Sequence, residues 1–331
     1  MSTRFSEDRE TNGHGAERHG RLTCENLYRA QPALFAAMNR LLALAQIQPK
    51  HRVDFVFDKP LHALELGEGK PLLLIHGASG GGANWYRLMA DLARHARVFA
   101  PDLPGFGFSQ AIEPHAPLGR HISALLLEWL DRIGVAQFNV VGTSFGGLVA
   151  LRLAQLAGER VDKVAIIDSA GLGPGVPLTL RMACMPGLVN LALRPSRRGT
   201  AWQLQRLMTT DRSQLPPAHT DALIEFLYQS ALASDARLLA RAFTMFSGFA
   251  GQREILSEAE LRNFPNELLI LWGECDRFLP PLHGRQAAAL VPRAHFRIIP
   301  AAGHSPNWEA PDRVLAFLQP FLAGALHNPN T

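Results

Sequence analysis

Two hydrophobic periods alternate along this chain, and their order predicts a layered α/β architecture. Short, largely apolar runs at 71–75, 98–101, 138–141, 164–167, 268–272 and 295–299 lack polar alternation, as expected of strands covered on both faces. Between them the apolar positions fall at helical spacing: Ile122, Leu125, Leu126, Trp129, Leu130 and Ile133 on one face of 118–133, and Leu148, Val149, Leu151, Leu153, Ala154 and Leu156 after residue 145. Further helices are expected at 84–95, 286–290 and 312–322. Strands alternating with helices imply a mostly parallel sheet flanked by helices. Val53–Phe57 and Leu61–Leu66 do alternate, and Asp58-Lys59-Pro60 between them predicts a hairpin at the start of the sheet.

Two stretches break this rhythm. From Gly171 to about Ser257 no good strand is found, only helical patterns such as Leu223, Ile224, Phe226, Leu227 and Leu238, Leu239, Ala242, Phe243, Phe246, with Ser234 as an expected N-cap. Residues 171–257 are therefore expected to form a helical insertion. At the other end, residues 1 to about 26 are polar and aperiodic and are expected to be disordered, followed by one amphipathic helix over Leu27–Ile47. That helix either packs on the body of the protein or lies on a membrane surface.

Composition narrows the partners. Apolar residues make up 47% and charged residues 19%, which describes a globule with a sizeable core. The formal charge is +4, almost all of the positive charge is arginine, and no basic block interleaved with aromatics occurs, which argues against nucleic-acid binding. The three cysteines, Cys24, Cys184 and Cys275, stand far apart, which fits a reducing, cytoplasmic setting and provides no zinc-site spacing. No run approaches the length of a membrane span. Between Gly171 and Leu215 six arginines (181, 194, 197, 198, 206 and 212) face the single acid Asp211, forming either a solvated face or an attractant for an anionic substrate or membrane surface.

The chemistry centres on Gly142-Thr143-Ser144-Phe145-Gly146, where a buried strand runs straight into a helix. Such a turn must be sharp, with the serine hydroxyl held clear of the backbone and glycines where a Cβ would collide. A serine hydroxyl needs a base to take its proton and an acid to orient that base. Beyond two later strands lie Gly273-Glu274-Cys275-Asp276 and Gly303-His304, and in a parallel sheet these strand ends share an edge with Ser144.

With His76-Gly77, Asp102-Leu103-Pro104-Gly105-Phe106-Gly107, Asp276 followed by Pro280, and His304 followed by Glu309 and Pro311, these motifs span residues 51 to about 325 in an order that resembles an α/β-hydrolase with a helical cap. The resemblance implies a core of 51–170 and 258–326, a cap of 171–257 and an N-terminal extension of 1–50. It also implies Ser144 as nucleophile, His304 as base and then acid, and Asp276 as orienting carboxylate. The backbone N–H groups of Phe145 and Ala78 would form the substrate-binding oxyanion hole, with no cofactor or metal. Asp168 and Glu274 are the rival acids, Glu274 being expected at the surface; His76 and Asp102 are expected to brace loops, and Cys275 to be a small packing residue.

A serine at the elbow points to acyl transfer to water, and hydrolysis of a carboxylic ester with an apolar acyl group is the leading expectation. Asp168-Ser169-Ala170-Gly171-Leu172-Gly173 and Trp308 also resemble hydrolases of ring-cleavage products, which break a carbon–carbon bond next to a ketone. Against that, the oxyanion loop reads Ser79-Gly80-Gly81-Gly82 where that group usually has Gly-Pro-Gly. A reading of another class is a catalytically silent ligand-binding protein. Trp202, Leu207, Met208, Phe226 and Phe246 are apolar cap positions that either line an acyl pocket or, as helical spacing more often means, pack within the protein.

Overall fold

A computed structural model describes residues 23–183, 185, 187–210 and 215–325. Almost all of the start expected to be disordered lies outside the described residues, as do Cys184, Asp211, Arg212 and position 326. The strands are β1 (Lys50–Val56), β2 (Lys59–Leu66), β3 (Lys70–Ile75), β4 (Ala96–Pro101), β5 (Phe138–Thr143), β6 (Val161–Ile167), β7 (Ser247–Gly248), β8 (Gly251–Gln252), β9 (Glu267–Gly273) and β10 (Ala294–Ile299). The helices up to the insertion are α1 (Cys24–Ala30), α2 (Pro32–Leu44), α3 (Tyr86–Leu92), α4 (Leu118–Arg132) and α5 (Phe145–Ala157). Those within it are α6 (Leu178–Ala183), α7 (Val189–Ala192), α8 (Arg197–Gln203), α9 (Pro217–Ala233) and α10 (Ala236–Phe246). After it come α11 (Glu258–Arg262), α12 (Pro281–Leu290), α13 (Pro306–Glu309) and α14 (Pro311–Leu322).

Eight strands form one sheet in the order β1-β2-β4-β3-β5-β6-β9-β10. The β1/β2 and β2/β4 pairs are antiparallel and the rest are parallel. Because side chains alternate across a sheet, a continuous apolar run feeds both faces. Leu73, Val140, Val164 and Ile270 point into a core with α4 and α5. Their neighbours Leu72, Val141, Ala165 and Leu271 join the opposite core with α2, α3 and α14. Ends of β5, β6, β9 and β10 thereby come to lie along one edge, anchored from both sides.

The structure corrects several local expectations. The single helix over Leu27–Ile47 is two, because Pro32 has no N–H to bond back and disfavours helical geometry at Gln31, which adopts φ −135° and ψ 60°. The apolar face of α2 is occupied: Leu34, Met38 and Leu41 are buried and the helix packs on α9. The hairpin turns at Phe57-Asp58, both with positive φ (47° and 58°), rather than at 58–60, and Pro60 sits within β2 opposite Phe55. Asp235, not Ser234, caps α10, accepting from the N–H groups of Arg237 and Leu238, each at 3.0 Å. Ser234 ends α9 and bonds the carbonyl of Ser230. The 171–257 segment also contains the small β7–β8 hairpin, too short to carry a periodic signal.

Ile270 is fully buried in β9, between β6 and β10. Ile270→Ala is expected to lower unfolding stability by about 2–5 kcal/mol, read from the urea midpoint at unchanged slope.

Candidate active site

The elbow is built by close approach. A Cβ on Gly142 would stand 2.1 Å from the Gly146 carbonyl oxygen, and one on Gly146 would stand 2.3 Å from that of Ile75. With both bare, the strand enters the helix in one step and Ser144 takes φ 54° and ψ −123°. A non-glycine residue pays roughly 1–3 kcal/mol for such geometry. Two bonds to the end of β6 hold it there, Ser144 N–H to the Ile167 carbonyl at 2.9 Å and Ala170 N–H to the Ser144 carbonyl at 3.0 Å.

The three expected side chains meet. Ser144 Oγ lies 3.0 Å from His304 Nε2, and His304 Nδ1 lies 2.9 Å from Asp276 Oδ2. Asp276 Oδ1 accepts the N–H groups of Phe278 and Leu279 at 2.7 and 3.0 Å, so the turn that carries the carboxylate also orients it. The imidazole stacks on Phe278 with ring centroids 4.8 Å apart. His304 and Asp276 are buried while Ser144 is half-buried, leaving the hydroxyl as the accessible member. Such a line can pass a proton from Oγ to Nε2 while the carboxylate steadies the charged ring.

Phe145 opens α5, so its N–H belongs to the first helical turn, whose donors have no partner within the helix. Ala78 follows Gly77, whose added Cβ would sit 3.6 Å from Ser144 Oγ. Both residues line a cavity holding about 640 Å³ of space not filled by atoms, its open mouth included. Its other walls are Leu103, Phe106, Ile112 and Ile122 from the core and Leu238, Leu239, Ala242, Phe243 and Phe246 from α10. Of the five apolar cap positions left open between pocket and packing, only Phe246 lines it. Trp202 is 53% exposed and Phe226 is buried in the core facing α2. The apolar stripe of α10 outcompetes them because that helix, packed on α4, lies across the elbow, with Phe246 edge-on to Phe145 at 5.6 Å.

The loops around the elbow are held by buried polar groups. His76 donates from Nδ1 to the Gly77 carbonyl (2.7 Å) and accepts the Leu103 N–H at Nε2 (2.8 Å). Burial lowers its pKa, which favours this neutral tautomer. Asp102 accepts from Gly82 N–H, Phe108 N–H and His62 Nδ1 at 2.6 to 2.9 Å. Burial pushes its carboxyl upward, but His62 and the two N–H groups outweigh that and hold it below the usual range. Glu274 is exposed, as expected. Cys275 is exposed too, contrary to expectation, and is held by its backbone N–H on the Ala302 carbonyl.

Four residues take parts that the sequence did not assign them. His62 links Tyr28 of α1 to Asp102, since Tyr28 Oη lies 3.0 Å from its Nε2. Ser230 of α9 donates to the Gly80 carbonyl and accepts the Gly107 N–H, tying the insertion to two site loops. Glu309 accepts Gly303 N–H (2.7 Å) and Thr210 N–H (2.8 Å), joining the His304 loop to the end of the residue 204–210 turn. No periodic signal marks such positions. The fourth, Asp168, was expected only as a rival acid. It does not face His304. Its Oδ1 accepts the Gly273 N–H at 2.8 Å and its Oδ2 meets no donor. Burial and the neighbouring Asp276 charge push it well above the ordinary carboxylate range.

The sequence model of the alpha/beta hydrolase fold matches residues 70–311, and the chain belongs to that family. A 2-hydroxy-6-oxo-6-phenylhexa-2,4-dienoate hydrolase of Burkholderia cepacia is 28% identical over 271 residues, covering 80% of this chain and 91% of its own. A 2-hydroxymuconate semialdehyde hydrolase of Pseudomonas putida is 30% identical over 277 residues, covering 79% and 91%. Among solved structures, a bacterial membrane phospholipase A matches with a TM-score of 0.72 at 26% identity, covering 90% of this chain and 93% of that one.

A carboxyl that stays protonated when folded but ionises when unfolded makes stability fall as pH rises above the unfolded value of about 3.9. Asp168→Asn, which removes this titration, is therefore expected to fold and to show a flatter stability curve as pH rises above about 4. Urea midpoints across that range check it.

Proposed function

We propose that this chain is a serine hydrolase that cleaves carboxylic esters of apolar acyl groups through an acyl-enzyme on Ser144. The observation that carries the reading is the pocket beside the elbow, whose described lining consists of apolar side chains and glycine, with no cation to pair a carboxylate. An acyl chain can be desolvated there with no buried charge left unmatched.

In this reading Ser144 Oγ bonds to the ester carbonyl carbon as its proton passes to His304 Nε2. Negative charge moves to the carbonyl oxygen, where the N–H groups of Phe145 and Ala78 receive it, helped by the positive end of α5. Collapse breaks the bond to the alcohol oxygen, which takes the proton from His304. Water then repeats the sequence, losing its proton to Nε2 and releasing the carboxylic acid and Ser144. Asp276 holds Nδ1 and so keeps Nε2 turned towards the serine. The 171–257 segment acts as a cap whose α10 face selects the acyl group.

A second reading is hydrolysis of a carbon–carbon bond next to a ketone, the reaction type named by the Burkholderia and Pseudomonas relatives. The same triad could serve it. A dienoate substrate, however, brings a carboxylate, for which this pocket wall offers no arginine, lysine or histidine.

A panel of p-nitrophenyl esters of increasing acyl length, beside a ring-cleavage dienoate, separates the two. The ester reading expects higher kcat/KM on medium or long acyl esters than on the dienoate, and the reverse ranking would overturn it. Ser144→Ala should lose on the order of 10⁶ in kcat. Asp276→Asn should lose about 10⁴ at unchanged fold, whereas Asp168→Asn should keep most of its turnover.

A further inference from the structure

The outer side of the cap carries apolar surface that the pocket does not use. Leu178 and Met182 on α6, Leu188 and Leu191 around α7, and Phe249 in the β7–β8 turn are exposed, Leu178, Leu191 and Phe249 at 61, 60 and 68%. They belong together, because α6 packs on both α7 and β7. A large exposed apolar patch marks an interaction surface rather than an ordinary solvated face. Charge indicates what covers it. Residues 171–210 contain five arginines (181, 194, 197, 198 and 206) and no aspartate or glutamate. Arg194, Arg198 and Arg206 are exposed; Arg197 is exposed as well and pairs with Glu225 of α9. Exposed apolar side chains followed along the chain by arginines, in a stretch that has no carboxylate of its own, match an anionic lipid surface, where the former enter the acyl boundary and the latter meet the headgroup charge.

The patch also sits in a useful place. Helix α7 packs on α10, whose Leu238, Leu239, Ala242, Phe243 and Phe246 line the pocket. We propose that the α6–α7 face with the β7–β8 turn docks on an anionic lipid bilayer and presents the pocket to lipid esters at its surface. This rests on the ester reading and names its substrate class: acyl esters held in a membrane rather than free in water. Helix α2, the segment that the sequence offers for membrane contact, has its apolar face buried and takes no part.

The test is flotation of the full chain with phosphatidylcholine vesicles, with and without phosphatidylglycerol, at low and high salt. The wild type is expected to float with the anionic vesicles and to be released by salt. Arg194→Glu with Arg198→Glu should weaken binding by more than tenfold, at roughly fivefold for each arginine lost. Leu178→Ser, Leu191→Ser and Phe249→Ser combined should weaken it by tenfold or more. Both variants should keep wild-type turnover of water-soluble p-nitrophenyl acetate, which also shows that they fold. The proposal is overturned if the wild type stays in solution with anionic vesicles, or if both variants float like the wild type. It is equally overturned if the serine substitutions convert a dimer into a monomer while no vesicle binding occurs, since a second copy would then be the occupant. Vesicle binding is read without chemistry, so failure of the ester reading would appear separately, as absent acetate turnover in the wild type.

Discussion

The close approach at the end of β5 is the constraint on which the rest depends. Ser144 can hold φ 54° only because Gly142 and Gly146 let strand, helix and the neighbouring β3 come within carbonyl contact of one another. The strain is borne by the surroundings: backbone bonds to the end of β6 fix Ser144 on both sides, and the sheet that supplies them is packed on both faces. The same principle recurs where His304 approaches Asp276. A Cβ on Gly273 would meet the Gly303 carbonyl oxygen at 1.9 Å, so β9 and the His304 loop can lie close enough for a 2.9 Å bond between His304 and Asp276.

Around this backbone frame, buried polar groups turn loops into fixed positions. His76 and Asp102 bind the loops after β3 and β4 to each other, and Asp102 reaches through His62 to Tyr28. Ser230 and Glu309 attach the inserted helices to the same loops and to the His304 segment. The insertion and the site geometry are therefore mechanically connected: a shift of α9 would reach the Gly80 carbonyl through Ser230, and a shift of residues 204–210 would reach the His304 segment through Glu309. Asp168 has a different part. Burial and the Asp276 charge beside it push its carboxyl above the usual range, and it is Asp276 that bonds His304 and orients the ring.

The parallel sheet and the Ser144, Asp276, His304 constellation were legible in the sequence because both rest on local signals. Continuous apolar runs mark strands covered twice, and glycine spacing marks an elbow whatever the rest of the chain does. What escaped depends on contacts distant in sequence. Nothing in the pattern at His62 shows that residue 102 will lie beside it, and Ser230 reads as one polar residue in an apolar helix. The pocket lining was open in the sequence for a related reason. Helical spacing identifies an apolar face but not what it faces, so Phe226 went to the core facing α2 while the α10 stripe took the pocket. The split of the N-terminal helix was in principle readable at Gln31-Pro32, where proline chemistry outweighs a continuing apolar period.

The central claim is that Ser144 is an activated nucleophile, and its most direct test is labelling with a fluorophosphonate followed by peptide mass mapping. The account predicts one stoichiometric phosphonyl adduct on the peptide containing Ser144, formed slowly or not at all in His304→Ala. An unlabelled chain, or an adduct on another residue with Ser144 free, would contradict it and leave the fold as a binding scaffold.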